Sequence, residues 1–193
     1  MSVSRRAVPS AAAIVLAIAV LAGCTPAEEP DAPTPAPTEA PAEEPTPGPT
    51  TQPVGTPVEV PCDALVPADV MYLYNANFGL VDPFDPAAGS FAANALAYSG
   101  VACRWQNQSS NQVIDVSVAQ LDEETLTALK NAAFAESQMV PTYGEEAYFS
   151  VDGGLGTAQV FQGPYWIVAE SDAFFEPGDA TEIVQSAIAG LGA

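Results

Sequence analysis

Carboxylates are the one side-chain type abundant enough here to suggest catalysis: 24 Asp and Glu stand against four Lys and Arg, a formal charge of −20. The pairings worth weighing set Glu145 or Glu146 against Asp152 or Asp172. Held about 5–10 Å apart in a groove, such a pair could serve glycoside hydrolysis, one acid donating a proton and the other acting as nucleophile or base. Histidine is absent, which removes the commonest general base, the Ser-His and Cys-His nucleophile pairs, and the usual zinc ligands. Asp122-Glu123-Glu124 reads as the capped, acidic start of a helix. Gly153-Gly154-Leu155-Gly156 lacks the Lys-Ser/Thr ending of a phosphate loop, and no D-x-D-x-D-G calcium loop occurs. Asp82-Pro83-Phe84-Asp85 reads as turn chemistry. No catalytic residue, metal or cofactor is therefore assigned, and a cell-envelope hydrolase is retained only as an alternative.

The three cysteines carry more information. Arg5-Arg6, an apolar stretch from Ala11 to Leu21 and the small residues Ala22-Gly23 precede Cys24. Positive start, short apolar run and small residues before a cysteine make residues 1–23 a lipoprotein signal peptide with a lipobox at Leu21-Ala22-Gly23-Cys24. The apolar run is too short for a spanning helix of about 20 residues. The Cys24 thiol is expected to accept a diacylglyceryl group; at about 0.8 kcal/mol per buried methylene, two or three chains anchor firmly. Cys62 and Cys103 then form an even pair in an oxidising setting and are expected to be disulfide-bonded. Closing a loop of about 40 residues would contribute about 4 kcal/mol in the chain-entropy model.

From Thr25 to Pro61 the composition shifts: twelve of the 19 prolines fall there, among Ala, Thr and Glu. Such a segment cannot bury enough apolar surface to offset the entropy of ordering, so residues 24–61 are expected to be a lipidated cysteine followed by a disordered acidic tether. At ~3.1 Å per residue its reach is on the order of 115 Å. Once the signal peptide is removed, Arg104 and Lys130 are the only cations left. Nucleic acid is excluded as a partner by that balance, because phosphate binding needs clustered Lys and Arg.

Residues 62–193 are expected to form one α+β domain, with three helices mainly on one face of an antiparallel sheet of about five strands. A first helix is placed near 66–77, where Val66, Val70 and Leu73 recur at i, i+4 and i+7. Strands follow near 101–105 and 113–119, the second marked by Ile114, Val116 and Val118 alternating with Asp115 and Ser117. They pair across the polar loop 107–111. A second helix opens at Asp122 and presents Leu126, Leu129, Ala133 and Phe134. Three strands near 146–151, 157–162 and 164–170 turn at Asp152-Gly153 and Gly163-Pro164. A last helix starts at Asp179, with Glu182 as its capping partner, and presents Ile183, Val184, Ala187 and Ile188.

The lipobox, the proline tether, Pro61-Cys62 before a helix, Cys103-Arg104-Trp105 in a strand and Tyr143-Gly144-Glu145-Glu146-Ala147-Tyr148 before the closing strands together resemble small actinobacterial lipoproteins. These are the DUF-type lipoproteins whose domain opens with a Cys and later carries a Cys-x-Trp strand and a Gly-x-x-Ala turn. The resemblance implies a disulfide-linked α+β module with no catalytic residues to carry over. A looser likeness to extracellular sensor modules of actinobacterial kinases suggests ligand sensing.

The expectation is a monomeric, non-catalytic binding or interaction module, held by its lipid at the outer face of the bacterial cytoplasmic membrane and contacting a cell-envelope component or protein. A solute-sensing accessory role is the second alternative. The candidate contact surface is aromatic: Tyr72, Tyr74, Phe78, Tyr98, Tyr143, Tyr148, Tyr165 and Trp166. Lining a cleft between helices and sheet, they would suit a small apolar or glycan ligand.

Overall fold

The structure, a computed structural model, describes residues 55–193. The expected signal peptide, Cys24 and the expected tether up to residue 54 lie outside the described residues. Thirteen elements follow in chain order among those described. They are β1 (Gly55–Thr56), α1 (Cys62–Leu65), α2 (Ala68–Asn75), β2 (Phe78–Val81), α3 (Phe91–Ala97), β3 (Val101–Asn107) and β4 (Val113–Leu121), then α4 (Glu123–Glu136), β5 (Gln138–Met139), β6 (Glu146–Asp152), β7 (Leu155–Gln162), β8 (Tyr165–Ser171) and α5 (Pro177–Leu191). The fold is α+β, with one antiparallel sheet in the order β2-β3-β4-β8-β7-β6-β5, and β1 paired to the end of β4.

Five strands and three helices become eight and five, and the helices cover both faces rather than mainly one. Alternation along the strands explains why. Ile114, Val116 and Val118 of β4 join Cys103, Trp105, Val160, Ile167 and Ala169 in a core closed by Leu65, Met71, Ile183, Val184 and Ala187, from α1, α2 and α5. The intervening residues Ala119 and Leu121 join Phe161, Trp166 and Val168 in a second core, closed by Ala95 of α3 and by Leu126 and Ala133 of α4. A sheet apolar on both sides needs two covers.

Local chemistry sets the boundaries. Asp122 caps α4, its side chain accepting from the Thr125 amide at 2.8 Å. The helix expected near 66–77 is α2, which starts only at Ala68 with Pro67 as its N-cap, and the separate turn α1 precedes it; Val66 lies between the two, because proline disfavours helical backbone in the residue before it. The last helix starts earlier than Asp179: Glu176 is the N-cap, Pro177 opens the first turn, and Asp179 is the third helical residue of a reciprocal capping box. The folded domain also begins before Cys62. Gly55 and Thr56 pair with Leu121 and Gln120, the Val58 amide donates to Ser99 O, and Val58 and Val60 pack on the first core, so residues 55–61 belong to the domain rather than to the tether.

Candidate functional site

The eight aromatic residues do not form one surface. Tyr143 is buried in the first core, its hydroxyl donating to Pro177 O, while Tyr74, Phe78 and Tyr165 pack against the same core. Tyr148 and Trp166 are buried in the second core, on the other side of the sheet, and Tyr98 packs beside Trp166 at 6.5 Å between ring centroids. Tyr72 alone stands clear, 68 % exposed on α2. The aromatic cleft expected from composition is therefore filled core, split between two faces.

The weighed carboxylate pairs are also kept apart. Glu146 and Asp152 begin and end β6, six residues or ~20 Å apart at about 3.3 Å per residue. Glu145 precedes β6 while Asp172 follows β8, which reaches the opposite end of the sheet. Glu145, Glu146 and Asp172 each make a structural contact. Glu145 accepts from the Gly163 amide and Gln162 Nε2, bracing the turn between β7 and β8. Asp172 accepts from the Val113 amide. Burial pushes the Glu146 carboxyl up, but hydrogen bonds from Tyr148 and Lys130 and the ammonium charge outweigh it and hold the group below its ordinary range. Lys130 Nζ lies 3.0 Å from Glu146.

A polar row that sequence reading did not single out crosses the sheet instead. Cross-strand register places Arg104 opposite Asp115, Asp115 opposite Glu170, Glu170 opposite Thr157 and Thr157 opposite Ser150. All five face the α3/α4 side. Arg104 grips Asp115 with two parallel contacts of 2.6 Å, and its guanidinium carbon sits 4.3 Å from the Phe84 ring centroid. Burial first, then the adjacent Asp115 charge, raises the Glu170 carboxyl toward its protonated form. The row borders a cavity of about 380 Å³ beside Ser90, the N-cap of α3. Chemically it offers an anionic wall whose one cation is already committed. The alternation of Asp115 with Ile114 and Val116 was the available signal; the opposite Glu170 was hidden because strand order is not legible locally.

A second feature lies on the other face. A groove of about 540 Å³ runs between α2 and α5, lined by Pro67, Val70, Leu73, Ser186, Ala189 and Gly190 among others. Leu73, expected on the buried stripe of its helix, is 80 % exposed at the groove's wall. The helix starts only at Ala68, so Val66 lies outside it and the spacing from Val66 does not set its buried face, which carries Met71 instead. Phe134 of α4, likewise expected inside, is 67 % exposed and meets Tyr148 edge-on. The Cys62–Cys103 disulfide ties α1 to β3, with Cα atoms 5.6 Å apart.

Among the described residues no group of three His, Cys, Asp or Glu side chains is arranged to hold a metal, and no helix is long and apolar enough to cross a membrane. The fold and these features define a disulfide-linked α+β domain with an eight-stranded antiparallel sheet. No protein-family model matches the chain, and no curated protein or solved structure matches it.

Proposed function

We propose that the chain is a lipid-anchored lipoprotein displaying a monomeric, non-catalytic interaction module outside the cytoplasmic membrane. The observation that carries this reading is the Cys62–Cys103 disulfide, a bond that persists in oxidising compartments and is rare in reducing ones. It agrees with the lipobox at Cys24 and with the resemblance to small actinobacterial lipoproteins. The interaction half of the reading draws support from the groove between α2 and α5, a concave surface lined by Pro67, Val70, Leu73 and Ala189 among others, since binding sites are commonly concave and mainly apolar. The carboxylates weighed for hydrolysis lie at opposite ends of the sheet, so no observation favours that alternative.

Phase partitioning tests the anchor. Wild-type protein is expected in the detergent phase of membrane extracts, and a Cys24→Ser variant in the aqueous phase. Wild-type protein in the cytosol with both later thiols free would overturn the reading.

A further inference from the structure

β2 ends the sheet, pairing with β3 on one side and with no described residue on the other. Hydrogen-bond parity fixes which of its backbone groups are free. The Asn107 amide donates to Gln112 O, so Asn107 addresses β4, and by strict alternation Gln106 and Arg104 address β2. The Gln108 amide donating to Asn77 O keeps the same phase. Gly79 and Val81, opposite Gln106 and Arg104, therefore point their N–H and C=O at β3, while Phe78 and Leu80 point theirs outward. Among the described residues no backbone or side-chain group takes them. The four-residue strand is short, but it carries no Pro, Lys or bulge, three of the devices that blunt an edge, and Leu80 is 46 % exposed.

Two depressions flank this edge, one of about 220 Å³ bordered by Met71, Phe78 and Trp105, the other of about 440 Å³ bordered by Asp82, Phe84 and Ala102. Leu80 and Asp63 border both. Side chains on one face of an added strand repeat every two residues, ~7 Å, so alternate residues of one extended segment could enter the two in turn. Asp63 and Asp82 are exposed there, and the nearby Arg104 is spent on Asp115.

We propose that the outer edge of β2 is a docking strand for an extended, basic segment of a partner protein. The segment adds to the sheet through the Phe78 and Leu80 backbone, with an apolar side chain against Trp105 and a Lys or Arg between Asp63 and Asp82. A second copy of this chain is a poor occupant, since each carries a formal charge of −20 and would set the same aspartates against one another. The proposal rests on the interaction reading above and is independent of the lipid.

The test titrates full-length protein in detergent with an acetylated Lys-Thr-Val-Thr-Lys amide, whose Lys and Val share one strand face, its backbone N-methylated analogue and the Glu-Thr-Val-Thr-Glu counterpart, following amide exchange at Leu80. The basic peptide is expected to protect the Leu80 amide. N-methylation and the Leu80→Pro variant should each weaken binding about tenfold or more, the loss of one or two hydrogen bonds, and the acidic peptide should weaken it as much through repulsion from Asp63 and Asp82. An Asp63→Lys, Asp82→Lys double variant, which leaves the backbone untouched, should do the same. Equal binding of the N-methylated peptide, an unprotected Leu80 amide, or strand-mediated dimers would overturn the proposal. An envelope protein captured equally by wild type and the double variant would do so too, while leaving the interaction reading in place.

Discussion

Asp115 stands directly across from Glu170 on neighbouring central strands, so two carboxylates share one rung of the ladder, and the Arg104 fork answers Asp115. Like charges opposite one another destabilise a strand pair, and burial adds to the cost on Glu170.

That rung gives the domain a pH signature. Because the Glu170 carboxyl is raised in the folded state above its ordinary 4.5, the folded chain takes up the proton first. Stability from this group therefore rises as pH falls from the raised folded value toward 4.5, and its penalty is full above that raised value. Glu170→Gln removes the charge, keeps an acceptor for Thr157, and does not titrate. The variant should have the higher urea midpoint at pH 7, with the advantage shrinking at pH 5. An advantage unchanged between the two would contradict the assignment.

The disulfide spans a sequence separation of 41 residues. The double variant Cys62→Ala, Cys103→Ala should lose about 4 kcal/mol in the chain-entropy model. Denaturant unfolding of oxidised wild type and variant measures the difference directly. Leu65 and Trp105, next to the two cysteines and buried in the same core, should lose protection from exchange first.

Gly190 brings α5 against α1 so closely that a Cβ there would fall 2.3 Å from Ala64 O. Gly190→Ala must push the helices apart and should cost about 1–3 kcal/mol, the usual range for overpacking. A thermal melt unchanged by the substitution would mean that the two helices do not meet as described.

Asp122→Ala removes the acceptor for the Thr125 amide at the start of α4 and should lower the midpoint of a thermal melt, the usual result of losing a helix N-cap. Asn at the same position should recover most of the loss.

Local signals in the sequence carried far, and long-range ones did not. The Ile114, Val116, Val118 alternation and the Asp122 cap are local physics and were legible. α3 was not, because Phe91–Ala97 is mostly small alanines with too few bulky residues to mark a stripe. β2 was not, since Gly79 interrupts a four-residue strand between Asn77 and Asp82. The aromatic surface failed for a reason that strand geometry already contained. Tyr165 and Trp166 are neighbours in one strand and must face opposite sides of the sheet, so no single cleft could hold both. The polar row depends on β8 lying beside β4, a pairing across some fifty residues of chain that no local pattern announces.

Everything proposed about place begins at one sulfur. Mass spectrometry of the amino-terminal peptide from envelope-purified protein should find a chain beginning at Cys24 with a thioether-linked diacylglyceryl group. A chain that retains Met1, or one whose Cys24 bears no lipid, would contradict the reading.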